Sequence, residues 1–209
     1  MNDIASEHSA IDLNNPDYYF NRELSLLQFN LRVLEQAMDD SHPLMERLNF
    51  LLIFSSNMDE FFEIRVAGLK NKLETHTGQP GPDGMLAEEV LKEISHITHE
   101  AVDRQYHILN NILLPALREE GVDFLRREDW TEAQIEWVKK YFREQIYPVL
   151  TPIALDPSHP FPRLVNKSLN FIVPLDGKDA FGRSTGLAIV PAPRSLPRLI
   201  RIPDEISEG

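Results

Sequence analysis

Phe54-Ser55-Ser56-Asn57-Met58-Asp59-Glu60-Phe61-Phe62-Glu63-Ile64-Arg65 is the stretch on which the reading of this chain turns. Seven polar or charged side chains stand there among aromatics and aliphatics. Before it, Leu44, Leu48, Leu51 and Leu52 keep helical spacing; after it, Met58, Phe62, Arg65/Val66, Leu69 and Leu73 would form a second buried stripe. A polar break in an apolar segment costs free energy unless its groups are satisfied. One reading is a helix junction, with Asn57 as the N-cap of a new helix and Asp59 and Glu60 in its first turn, where the helix dipole favours acids. The other is a place where something polar docks. A side-chain amide offers donors and an acceptor, so Asn57 can match a purine's amino-group and ring-nitrogen edge. Spacing leaves both open, and one residue can do both.

Outward from this stretch the pattern is helical. Ser25-x-x-Gln28 predicts a capping box, followed by a helix with Leu27, Leu31, Leu34 and Met38 on one face. Asp39-Asp40-Ser41-His42 ends it, and Pro43 suits the first position of the next helix. Thr77 to Gly84 is a loop. A long helix is expected over about 86–119, with Val90, Ile94, Ile97, Ala101, Ile108 and Ile112 as its stripe. Pro115 should kink it or begin a new first turn, and Gly121 should stop it. Residues 21–121 therefore read as an antiparallel helical bundle. Residues 1–20 hold Asp3, Glu7, Asp12 and Asp17 without Lys or Arg, and read as a flexible acidic tail.

From residue 122 the character changes. Val122–Leu125 reads as a short strand, and Asp129-x-x-Glu132 or Thr131-x-x-Gln134 caps a helix carrying Ile135, Val138, Phe142 and Ile146. Prolines become dense after Tyr147. Strands are expected at Leu169–Leu175, Thr185–Val190 and Arg198–Ile202, the first followed by a turn through Asp176-Gly177-Lys178. The fold class is α+β: a helical bundle followed by a partial α/β head domain, 122–209, with a short antiparallel sheet. A sheet needs a covered face, and little sequence remains to cover this one. The chain is expected to stop inside its second domain and to expose apolar sheet surface.

Composition bounds the function. The chain has 209 residues, 42% hydrophobic and 26% charged, enough for a sizeable core. It has no Cys, which excludes disulfides and thiol chemistry. No apolar run is long enough for a membrane-spanning helix, the first residues are unlike a signal peptide, and a cytoplasmic protein is the expectation. The net charge of −12 speaks against nucleic acid as a partner. Charge is uneven, however: between Pro157 and Pro203 seven bases (Arg163, Lys167, Lys178, Arg183, Arg194, Arg198, Arg201) outnumber two acids, Asp176 and Asp179. That segment reads as a solvated sheet face or as an anion or partner surface.

Spacing identifies no catalyst. The nine glycines form neither GxxxxGK[ST] nor GxGxxG, and HExxH is absent. His96 and His99 share a helix face, but no acid completes a metal site there. His159 is a lone loop histidine, and Ser, His and Asp are nowhere grouped as a triad. Glu119-Glu120 and Asp39-Asp40 read as helix-end charges.

An ordered series of motifs does carry a likeness. Tyr19-Phe20-Asn21-Arg22-Glu23-Leu24-Ser25, Leu27, Phe29-Asn30 and Arg32-Val33-Leu34-Glu35 open it. Pro43-Leu44-Met45-Glu46-Arg47-Leu48, Ser56-Asn57-Met58-Asp59-Glu60-Phe61-Phe62 and Arg65-Val66 continue it, then Leu114-Pro115-Ala116-Leu117 and Glu120-Gly121. Leu150-Thr151-Pro152, Asp156-Pro157-Ser158-His159-Pro160-Phe161-Pro162, Ser168-Leu169-Asn170 and Leu196-Pro197-Arg198 complete it. From about residue 18 onward the chain resembles bacterial polyphosphate kinase of the long, histidine-phosphorylating kind. Leu26 departs from the family, which usually has Trp there.

The resemblance implies an N-terminal helical domain and the start of a head domain. It implies a parent enzyme that reversibly transfers the terminal phosphate of ATP to polyphosphate. The phosphorylated histidine, the Mg2+ sites and the polyphosphate tunnel would then lie in C-terminal domains, leaving this chain without a catalytic residue or metal ligand and inactive alone. Asn57 matches the family asparagine that contacts the adenine of ATP. The head domain resembles a dimerisation element, so a homo-oligomer is implied, and the location is cytoplasmic with room for peripheral contact at the inner membrane. The competing expectation is a stand-alone helical protein-interaction module that never meets nucleotide.

Overall fold

The computed structural model describes residues 12–75, 78–155, 160–177 and 186–207. Its chain divides after Phe124 into a helical unit and a unit built on a small sheet.

The helical unit starts with α1 (Arg22–Gln36), four residues earlier than the Ser25-x-x-Gln28 pattern suggests. Asn21 is the cap: its Oδ1 accepts from the Glu23 and Leu24 N–H groups at 3.1 and 3.0 Å. Its Nδ2 donates to Asp83 Oδ2 at 2.7 Å, tying the start of α1 to the Gly78–Gly84 loop. The described part of the tail is also structured. Pro16–Tyr18 make a 3-10 turn capped by Asn15, and Tyr19 Oη donates to the Leu13 carbonyl at 2.6 Å. Residues 1–11 lie outside the described residues.

Between α1 and α2 (Leu44–Glu60), Arg47 Nε donates to the Ala37 carbonyl at 3.0 Å, and its guanidinium pairs with Asp40 at 2.6 Å. Pro43 precedes the first helical residue rather than occupying it. The polar stretch does not break α2. The Asn57 carbonyl accepts the Phe61 N–H as in any α-helix, so Asn57 is a mid-helix residue and not an N-cap. The chain continues as a π-helical segment, Phe61–Val66, and then α3 (Ala67–Glu74).

The π segment changes which side chains face inward. Ala67 N–H donates to the Phe62 carbonyl, a five-residue step. Buried positions accordingly run Leu51, Phe54, Met58, Phe61, Val66, Leu69, with a jump of five across the segment. Phe62 and Leu73, expected inside on α-helical spacing, are exposed, and so is Leu52.

α4 (Ala87–Ile108) begins where Glu89 Oε2 accepts the Leu86 N–H at 2.8 Å. It runs through a second π segment, Leu109–Leu113, into α5 (Leu114–Glu119), so the expected long helix is present with a wide turn just before Pro115. Gly121 stops it as expected: at φ +82° it lets Val122 N–H reach the Leu117 carbonyl at 2.8 Å, while its own N–H reaches Arg118 at 3.0 Å. Val122–Leu125 is not a strand. Leu27, Leu34, Leu51, Phe54, Val90, Ile94, Ile108 and Leu113 form the centre of the core.

In the second unit, Thr131 caps α6 (Glu132–Tyr141) in a reciprocal box with Gln134, the second of the two caps the sequence allows. A third π segment, Phe142–Ile146, and a 3-10 turn follow. The sheet has the order β1-β3-β2, all antiparallel: β1 (Ile153–Ala154), β2 (Asn170–Pro174) and β3 (Leu187–Pro191). Ile189 faces Ile153 on one side and Ile172 on the other. The third strand thus comes from the proline-dense segment and not from Arg198–Ile202, which is irregular and leads into α7 (Asp204–Ser207). Gln134, buried, ties α6 to α7 by donating to the Ile206 carbonyl at 3.0 Å. Lys178, the last residue of the expected Asp176-Gly177-Lys178 turn, lies outside the described residues. The α+β class expected from the sequence is the one observed.

Candidate functional site

On α1, Leu27 and Leu34 are core residues, and Asn30 lies between them on the same stripe. It is 2% exposed, one of three buried polar side chains among the described residues. Such a group needs a partner. Asn57 supplies it from α2: its Nδ2 donates to Asn30 Oδ1 at 2.9 Å. The polar stretch in α2 therefore needs no helix break, because part of its polarity is satisfied across the α1–α2 packing.

Asn57 itself is half-buried. The bond to Asn30 is its one side-chain hydrogen bond among the described residues. Among the described residues no buried side-chain nitrogen or oxygen lacks a partner, so the unbonded Asn57 Oδ1 reaches the surface. The amide keeps that carbonyl oxygen and a second N–H for another molecule. One turn away on each helix stand the partly exposed Leu26 on α1 and Ile53 on α2, with Phe29 beside Asn30 in sequence. The Arg32 guanidinium lies 5.8 Å from the Phe29 ring centre. Just beyond Asn57 the π segment begins, and Ile64 on it is exposed. Chemically this is a paired amide with one acceptor and one donor to spare, with the partly exposed Ile53 one turn before it on α2. Such an arrangement suits a flat heteroaromatic ring with a donor–acceptor edge.

The other candidates are not assembled into a site. His99 Nδ1 donates to the Ser95 carbonyl one turn back at 2.6 Å, and His96 Nε2 lies 3.5 Å from Glu100. Among the described residues no three His, Asp or Glu side chains are arranged to hold a metal. His159 lies outside the described residues, as do Lys178, Asp179 and Arg183 of the basic segment. Of the bases that are described, Arg194 donates to the Asn166 carbonyl and Arg201 pairs with Asp204, each at 2.7 Å. Asp40 is the partner of Arg47. Asn30 is the residue that sequence reasoning missed, although an Asn on the line between Leu27 and Leu34 was a readable signal.

Comparison with known proteins points to polyphosphate kinase. The chain matches the model of the polyphosphate kinase N-terminal domain over residues 19–125 and that of the polyphosphate kinase middle domain over 133–209. It is 60% identical over 197 residues to polyphosphate kinase from Pseudomonas syringae pv. tomato, 94% of this chain and 27% of that protein. The enzyme from Pseudomonas aeruginosa is 59% identical over 93% of this chain and 28% of its own length. That from Neisseria meningitidis serogroup C is 52% identical over 90% of this chain and 27% of its own length. The crystal structure of polyphosphate kinase from Porphyromonas gingivalis superposes with a TM-score of 0.71 at 29% identity, covering 88% of this chain and 26% of that one.

Proposed function

The chain belongs to the polyphosphate kinase family, and on that premise we propose that it contributes the adenine-contacting wall of an ATP site. It spans about a quarter of the length of the curated relatives it matches. The activity proposed for the whole protein is reversible transfer of the ATP terminal phosphate to polyphosphate, with Mg2+ and the phosphorylated histidine supplied by other domains. This chain then binds and orients nucleotide without catalytic or metal-ligating residues of its own, and it transfers no phosphate alone. Residues 21–121 are proposed as the nucleotide-facing domain and 122–209 as a head domain that presents a homo-oligomer surface. A cytoplasmic location accords with this, and no described helix is long and apolar enough to cross a membrane.

The observation that carries the reading is the half-buried Asn57 amide, held by one bond and otherwise open. In a full-length enzyme carrying this chain, Asn57→Ala is expected to raise the KM for ATP while leaving polyphosphate binding unchanged. An unaltered ATP dependence would reduce Asn57 to a packing residue. The pure 209-residue chain is expected to show no ATP-to-polyphosphate turnover, and measurable turnover would overturn the assignment of catalysis elsewhere.

The exposed Phe171, Ile172 and Val173 of β2 favour a second reading, a protein-interaction module without nucleotide. Titration of the labelled chain with ATP, read by NMR at the Asn57 side chain, separates the two. A response supports the nucleotide site, and silence up to millimolar ATP supports the module.

A further inference from the structure

We infer that Asn30 is a positioning residue that orients the Asn57 amide and so sets adenine-over-guanine preference at this site. The inference rests on the nucleotide reading above. The Asn30 side chain is buried within the helix packing and presents an acceptor oxygen 2.9 Å from Asn57 Nδ2. With Asn30 Oδ1 facing Asn57 as observed, turning the Asn57 amide alone by 180° brings its carbonyl oxygen against that acceptor and loses the bond, and both amides must turn together to regain one. The Asn57 amino group is therefore anchored inward, leaving Oδ1 and the second N–H for the ligand.

The two purines answer this arrangement differently. Adenine offers an N6 amino donor next to the N7 acceptor, and guanine offers two acceptors, O6 and N7. A fixed Asn57 can accept from the adenine amino group with Oδ1 and donate its remaining N–H to the adjacent ring nitrogen. Against guanine the same oxygen meets O6, acceptor against acceptor. An Asn57 free to turn would instead offer its amino group to O6. Discrimination thus depends on the residue that prevents turning.

Asn30 also fills a place in the core, so a helix-packing role alone must be distinguishable. Asn30→Leu keeps the approximate volume and removes the acceptor. Asn30→Asp keeps an acceptor oxygen in either ionisation state. The 15N-labelled chain is titrated with ATP and with GTP, and the ratio of the two affinities is compared across wild type, Asn30→Leu, Asn30→Asp and Asn57→Ala. The expected result is a preference for ATP in wild type, a fall of about fivefold in that ratio for Asn30→Leu, and recovery in Asn30→Asp. An unchanged ratio in a folded Asn30→Leu overturns the inference while leaving the nucleotide site standing. Absence of any ATP response in wild type, or a response unaltered by Asn57→Ala, overturns the nucleotide site itself, and the inference with it. A measurement on wild type needs no substitution. One Asn57 side-chain proton should exchange slowly, bound to Asn30, and the other rapidly until ATP is added. Equal exchange of the two would also overturn the anchoring.

Discussion

Of the eighteen buried apolar side chains among the described residues, sixteen lie in the helical unit and two, Ala188 and Ile189, in the sheet unit. Apolar residues are plentiful in both. In the helical unit, stripes from α1, α2, α3 and α4 meet in one core, and each apolar side chain finds partners on several helices. In the sheet unit, adjacent residues of β3 point to opposite faces, so Ala188 and Ile189 show that the central strand is covered on both sides. Its neighbour β2 is an edge strand, with Phe171 54% and Ile172 66% exposed. The difference teaches that enclosure depends on how many elements converge on a surface, more than on how apolar that surface is.

This contrast can be broken most directly at Phe54, which is fully buried. Phe54→Ala should cost the helical unit about 3–5 kcal/mol in urea unfolding. A loss under 1 kcal/mol would mean that the bundle core is far looser than its burial indicates. Next in size is Asn57→Ala, which strips the Asn30 carbonyl oxygen of its donor. The expected cost is about 1–3 kcal/mol, and a nucleotide-free melt checks it. Gly121→Ala sharpens the same side of the comparison, because φ +82° is strained for any residue with a Cβ. About 1–2 kcal/mol should be lost, accompanied by fraying of α5 in hydrogen exchange.

On the sheet side the stability effects should be small. Ile172→Lys is expected to change unfolding by no more than about 0.5 kcal/mol while lowering self-association in sedimentation. A large destabilisation would show that β2 is covered after all. The smallest effect concerns Asp39, whose carboxyl is held below the ordinary range by hydrogen bonds from Ser41, with His42 and Arg47 nearby. A depressed folded value contributes stability above the unfolded pKa, and that contribution is lost as pH falls through the folded one. An NMR titration should therefore find the Asp39–His42 turn intact until the pH drops below the usual aspartate range.

The helices were legible in the sequence because their signals are local. Gly121 and the Thr131–Gln134 box act within a few residues, and both were readable. What stayed hidden depends on partners distant in sequence. Asn57 looked like a cap because its satisfying partner lies 27 positions away on another helix. β1 is two residues long and becomes a strand only through its pairing with β3, whereas Arg198–Ile202 has the apolar content of a strand but, among the described residues, no strand partner. A constant period of 3.6 puts Phe62 inside, but the chain turns more slowly through this segment and leaves it exposed. The Asn57 assignment to adenine came from the ordered likeness to polyphosphate kinases, since an isolated asparagine has no spacing to read.

The π segment at Phe61–Val66 has one further consequence, for the evolution of length. It holds one residue more than the corresponding α-helical path while Phe61 and Val66 both stay buried. Deleting a single residue among Phe62, Glu63 and Ile64 would turn the five-residue step into four and leave Val66 and Leu69 facing the core. The same deletion at Ser55 or Ser56 would swing everything after it by about 100° and turn the buried stripe outward. This helix therefore has one place where its length can change without loss of phase, one turn after the asparagine that bonds Asn30.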